Sequence, residues 1–108
     1  MTRRIVAFWD EYDVLVTPTL AQLPLPVGTI AGAEALEQFR LSALFTPFTP
    51  VVNVTGQPAV SVPLTWTDDG VPVGVHVIGR PADEATLLRL SAQLEQARPW
   101  RDRRPPLA

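Results

Sequence analysis

The feature that most constrains the fold is a run of valines at every second position, interrupted once: "AVSVPLTWTDDGVPVGVHVIG", residues 59–79. Period-two alternation places successive side chains on opposite faces of a strand, and Asp69-Gly70 is a turn pair in which both positions tolerate positive φ. The stretch therefore reads as a β-hairpin. Val71, Val73, Val75 and Val77 fall on one face, expected to be core; Pro72, Gly74, His76 and Ile78 fall on the other, where glycine lets a neighbouring element come close. An isolated hairpin is marginal in water, so the rest of the chain must supply layers that cover it.

Those layers are legible as periodic segments. Ile5, Phe8, Trp9 and Tyr12 recur at i, i+3, i+4 and i+7, which predicts an amphipathic helix over the first dozen residues. "DVLVTPT", residues 13–19, is an apolar run ended at Pro18 and reads as a short buried strand. Two prolines and two glycines between residues 21 and 32 mark a loop. Residues 33–45 place Leu36, Phe39, Ala43 and Leu44 on one helical face, with Pro47 and Pro50 as stops. Leu87, Leu90, Leu94 and Ala97 define a last helix that Asp83 is placed to cap, and 98–108 is an Arg/Pro-rich tail, read as loose. About three helices and three strands give an α/β piece. A strand as apolar as "DVLV" normally has neighbours on both sides, so the sheet is expected to be part of a larger, mixed one, flanked by helices and incomplete on its own.

Composition removes several function classes. Eleven acidic against nine basic residues leave a net charge of -2, with no field to gather phosphate, so nucleic acid is not an expected partner. No apolar run approaches the ~20 residues that a membrane span requires, and no membrane partner is expected. There is no cysteine, hence no disulfide, thiolate nucleophile or cysteine-based zinc site; a cytoplasmic protein is expected. All nine basic residues are arginine. No phosphate loop or metal-ligand cluster stands in the sequence, and no cofactor or metal is expected.

Few residues are candidates for chemistry. His76 is the single histidine, and no serine, cysteine or second histidine stands at a recognisable motif distance from it, so it reads as a packed or hydrogen-bonded strand residue. Asp68 and Asp69 read as turn formers beside Gly70, and Glu11 and Asp13 as capping or surface groups. Ser42 and Ser91 fall in predicted helices and Ser61 in a strand; none lies on a nucleophile elbow.

Four blocks in order, "YDVLVTPT" (12–19), "TPVVNVTGQPAVSVPL" (49–64), "GVPVGVHVIGR" (70–80) and "DEATLLRLSAQLE" (83–95), resemble the closing segments of the amidase signature family. His76 departs from the glutamine common there. The resemblance implies residues 1–97 as the C-terminal segment of an amidase-like domain, with 98–108 as a tail. It implies a carbon–nitrogen amide hydrolase whose serine, cis-peptide serine and lysine triad lies upstream of the matched blocks. This chain has no adjacent serines and no lysine, and arginine, whose very high pKa keeps it protonated at physiological pH, cannot serve as the base. The chain alone is therefore expected to be inactive, with no catalytic residue, and to contribute scaffold and part of the substrate cavity. Asn53, Thr55, Gly56 and Pro58 would shape the cavity backbone. Its expected partner is the N-terminal amidase part or another copy of itself. Two alternatives stay open: a non-catalytic, self-associating α/β module, and the C-terminal part of the glutaminase subunit of a tRNA-dependent amidotransferase. Met1 fits a true start or an internal methionine.

Overall fold

The computed structural model describes residues 5 and 7–105. The elements run β1 (Val14–Pro18), α1 (Ala35–Phe45), α2 (Pro50–Thr55), β2 (Ala59–Trp66), β3 (Pro72–Gly79) and α3 (Glu84–Ala97). The three strands form one sheet in the order β1-β3-β2, and both pairings are antiparallel. The predicted hairpin is its centre: Val60 faces Val77 and Val62 faces Val75 across β2 and β3. A register shift between Pro63 and Thr65 carries β2 on to Trp66, two residues beyond the run that alternation marks.

The connecting turn closes through the Thr67 N–H to the Val71 carbonyl at 3.0 Å and the Gly70 N–H to the Thr67 carbonyl at 2.9 Å. Gly70 takes φ +86°, but Asp69 does not enter the positive-φ region that the sequence pair allows it. Asp69 acts through its side chain instead. Its carboxylate accepts the Thr67 hydroxyl, and that bond, aided by its own backbone N–H, holds the carboxyl below its ordinary pKa.

Both faces of β3 are covered at its C-terminal end, so the expectation of a single valine core is corrected. Val62 and Val77, with 3% and 2% exposure, share one face by register; α3 lies there, with Leu87 against Gly79. Ile78, at 2%, belongs to the opposite face and packs with Trp9 and Val52. Alternation assigns side chains to faces, but only the layers that arrive decide which faces are buried. Each fully buried leucine or isoleucine contributes about 1.5–3 kcal/mol.

The edge strand β1 departs further. It occupies the predicted position, yet Leu15 is 38% and Val16 56% exposed, so it is an uncovered edge rather than a buried strand. Arg80, just past β3, pins its start: the guanidinium donates to the Asp13 carboxylate at 2.8 Å and to the Tyr12 carbonyl. In the first segment Ile5, Ala7 and Phe8 are helical and residues 9–11 form a turn, so the predicted helix stops short of Tyr12; residues 1–4 and 6 lie outside the described set. The aromatic stripe still forms, with Phe8 edge-on to Trp9 and stacked on Tyr12.

Helix α1 forms where periodicity predicts, but none of its residues is buried: Leu36, Phe39 and Leu44 are 81%, 73% and 58% exposed. Pro50 does more than stop it. Proline at the first helical position has no orphan N–H to satisfy, and it starts α2, a helix the sequence reading lacked. Helix α3 matches expectation, the Asp83 carboxylate capping it by accepting the Thr86 N–H at 3.3 Å. The tail read as loose turns back on the hairpin, with the Arg103 guanidinium 4.0 Å from the centre of the Trp66 ring.

Candidate functional site

The residues singled out as cavity backbone cluster at the exit of α2, and Gly56 decides the path there. It ends the helix in the left-handed region at φ +70°, its N–H bonded to the Val52 carbonyl at 2.8 Å. The Thr55 hydroxyl stands 2.8 Å from both the Val51 carbonyl and Gln57 Oε1, which share its single proton. The Pro58 carbonyl accepts the Gly79 N–H at 2.9 Å, fixing the bend to the end of β3. Thr55, Gly56 and Pro58 are thus brought together, whereas Asn53 stands exposed on α2.

Sequence reasoning missed Gln57, the residue that joins these parts. Only 8% exposed, it accepts from Thr55 through Oε1 and donates through Nε2 to the Gly79 carbonyl at 3.2 Å. A buried amide left unpaired costs about 1–3 kcal/mol, so satisfying both ends of Gln57 locks the bend to the sheet. The only sequence signal is a polar residue held between glycine and proline, which does not reveal burial.

A second polar group lies on the face of the sheet that carries Ile78. The pairs Thr17–His76 and Ser61–His76 are in register, placing all three side chains on that face. The Thr17 hydroxyl is 3.2 Å from His76 Nδ1. One step along, the hydroxyls of Thr19 and Ser61 bond to each other at 2.6 Å across Gly74. A Cβ on Gly74 would stand 2.6 Å from both oxygens, so only glycine lets them meet. His76 is 5% exposed, and burial lowers its pKa below the usual histidine value, keeping it neutral at physiological pH.

This arrangement positions groups but builds no nucleophile and base. Ser61 is held by Thr19 and His76 by Thr17, while Ser42 is exposed on α1 and Ser91 half-buried on α3. No group of His, Asp or Glu among the described residues could hold a metal ion. No helix among them is long and apolar enough to cross a membrane.

The model of the family described as Amidase matches residues 1–88. The chain belongs to the amidase family. It is 45% identical over 105 residues to the protein named "Putative amidase AmiB2" of Mycobacterium tuberculosis, covering 97% of this chain and 23% of that protein. The solved structure of 6-aminohexanoate cyclic dimer hydrolase superposes with a TM-score of 0.85 at 33% identity, over 97% of this amidase chain and 23% of the hydrolase. A glutamyl-tRNA(Gln) amidotransferase subunit from Thermotoga maritima gives a TM-score of 0.70 at 26% identity, over 94% and 21% of the two chains. The chain thus spans about a quarter of the length of the relatives it matches, and its small α/β architecture is a piece of the amidase fold.

Proposed function

We propose that this chain is the C-terminal portion of an amidase-type hydrolase that cleaves carbon–nitrogen amide bonds, and that it supplies scaffold and cavity wall rather than the nucleophile. The observation that carries the reading is the family match over residues 1–88 in a chain without a lysine, none of whose three serines is hydrogen-bonded to a base. The Ser-cisSer-Lys triad then belongs to the part of the fold outside this chain. In such an enzyme the bend at Thr55, Gly56 and Pro58, clamped through Gln57, holds one rim of the substrate cavity, and Asn53 presents its amide from the exposed side of α2. Residues 1–97 form the amidase-like segment, and 98–108 are an appended tail. Of the two solved structures, one is named a 6-aminohexanoate cyclic dimer hydrolase and the other an amidotransferase subunit, which supports an amide substrate without choosing its acyl or amine part.

A glutaminase subunit of a tRNA-dependent amidotransferase is the second reading, supported by the Thermotoga maritima likeness; the higher TM-score of the cyclic-dimer hydrolase favours the first. A non-catalytic module that assembles through its sheet edge is the third. A fusion separates them, in which this chain replaces the homologous quarter of the mycobacterial relative. The reading expects the fusion to hydrolyse amides, and the isolated chain neither to do so nor to react with a fluorophosphonate. Stoichiometric labelling of Ser42, Ser61 or Ser91 in the isolated chain would overturn it, as would a folded but inert fusion.

A further inference from the structure

Strict alternation along β2 would put Trp66 with Val60 and Val62, on the face where α3 lies. The register shift prevents this. Pro63 stands opposite Gly74 and Trp66 opposite Pro72, so two residues three apart in sequence share one face, the face that carries Ser61 and His76. Shifts of this kind re-aim a side chain and are frequent beside active sites. Here the side chain re-aimed is a half-buried indole at the open end of the hairpin.

What meets that indole is the tail. Residues 100–103 form a turn closed by the Arg103 N–H to the Trp100 carbonyl at 3.0 Å, and the turn lays the Arg103 guanidinium 4.0 Å from the centre of the Trp66 ring. Between hairpin and tail a cavity of about 730 Å³ remains, inside the range of roughly 300–1,000 Å³ that small-molecule sites occupy. Trp66 and Trp100 both line it, and Pro63 and Pro72 add apolar wall. Its charged groups are two guanidiniums and two carboxylates. Asp69 is already engaged by the Thr67 hydroxyl, and Asp102 is exposed. Neither Arg103 nor Arg104 forms an ion pair among the described residues, where the pairs are Arg40–Glu37 and Arg80–Asp13. Cation–π attraction uses the charge of the Arg103 guanidinium and leaves its N–H donors available to an acceptor.

We propose that this cavity binds a small planar carboxylate, an aryl or arylalkyl acid, with its ring against the indoles of Trp66 and Trp100 and its carboxylate on the guanidiniums of Arg103 and Arg104. The ligand class follows from the donor set. A carboxylate is satisfied by one planar guanidinium fork, whereas a phosphate needs donors around several oxygens and brings a second negative charge towards Asp69 and Asp102. The apolar and aromatic remainder of the lining suits a ring. A clasp of the tail on the hairpin accounts for Arg103 over Trp66, but it gives no role to Arg104 or to the open volume. The proposal goes beyond the function above and does not depend on it, because the hairpin and tail of this chain supply every group.

Equilibrium dialysis of radiolabelled benzoate against the 108-residue chain tests this, repeated with the fusion to the mycobacterial relative. The expected result is one saturable site, for which benzamide, the neutral isostere, and inorganic phosphate each compete at least ~10-fold more weakly, the margin of a charge-assisted hydrogen bond. Arg104→Gln should weaken benzoate at least ~10-fold while the variant stays folded by circular dichroism, since Arg104 is exposed. In the isotope-labelled chain, benzoate should shift the indole N–H signals of Trp66 and Trp100 and leave that of Trp9, in the core, unmoved. Trp66→Leu should abolish binding, and Trp100→Leu carries the same expectation where Trp66→Leu unfolds the chain. Absence of saturable binding, equal affinity for benzamide, tighter binding of phosphate, or an Arg104→Gln variant that binds like the parent would each overturn the proposal. So would Arg104-dependent binding that the chain shows and a folded fusion loses, because the rest of the amidase would then fill the cavity. A fusion that binds benzoate through Arg104 but hydrolyses no amide keeps this site and removes only the proposed function.

Discussion

Gly74→Ala tests the hydroxyl bridge most directly, because the geometry around it fixes what the added methyl must displace. An ideal Cβ there stands 2.6 Å from Ser61 Oγ and Thr19 Oγ1 and 3.2 Å from Thr19 Cβ, on a strand residue whose backbone is otherwise compatible with alanine. Rotating Ser61 away removes one contact; the Thr19 Cβ contact persists, so β1 itself must give way. Losing the Thr19–Ser61 bond costs about 0.5–1.5 kcal/mol. The steric shift adds about 1–3 kcal/mol. Alanine recovers about 0.4–1 kcal/mol by restricting the unfolded chain. The net expectation is a loss of about 1–3 kcal/mol. Urea denaturation followed by tryptophan fluorescence reads this, run at several chain concentrations so that any association is separated from folding. With a slope of about 1.5 kcal/mol per molar, a 2 kcal/mol loss moves the midpoint by about 1.3 M. Ser61→Ala removes one clashing oxygen, so the double variant should lose less than the sum of the singles. A neutral or stabilised Gly74→Ala, or strict additivity with Ser61→Ala, would refute the argument that glycine is required for the two hydroxyls to meet.

Further outcomes follow from the same structure. His76 is neutral and buried, with a pKa lowered in the folded state; below pH of about 6.5 the unfolded chain binds a proton that the folded chain does not, so stability should fall as pH drops through that window. His76→Gln should flatten that slope while changing stability at pH 8 by under about 1 kcal/mol, because an amide can keep the bond to Thr17; an unchanged pH profile would count against the assignment. Gly56→Ala forces a Cβ into the left-handed region and should cost about 1–2 kcal/mol by the same urea titration, with a neutral result contradicting the cap geometry. The isolated chain, with Leu36, Phe39, Val16 and Leu44 uncovered, should associate or bind a hydrophobic dye at low micromolar concentration; a dye-negative monomer by sedimentation would contradict this.

What the sequence determined by itself was local. Valine alternation around Asp69-Gly70 set the hairpin, the leucine spacing after Asp83 set α3 with its cap, and four short blocks carried the family. Each is a signal in which neighbouring residues dictate geometry or identity. The tertiary structure decided burial. Periodicity placed Leu36 and Phe39 on one helical face and Leu15 and Val16 on a strand, but whether another layer covers those faces depends on groups distant in sequence, and among the described residues none arrives. The converse holds for Ile78 and His76, on the face that alternation left open, which Trp9 and Val52 close from 69 and 26 residues away in the case of Ile78. Gln57 was invisible for the same reason: a polar side chain reads as surface until the Gly79 carbonyl, 22 residues on, is brought within 3.2 Å of it.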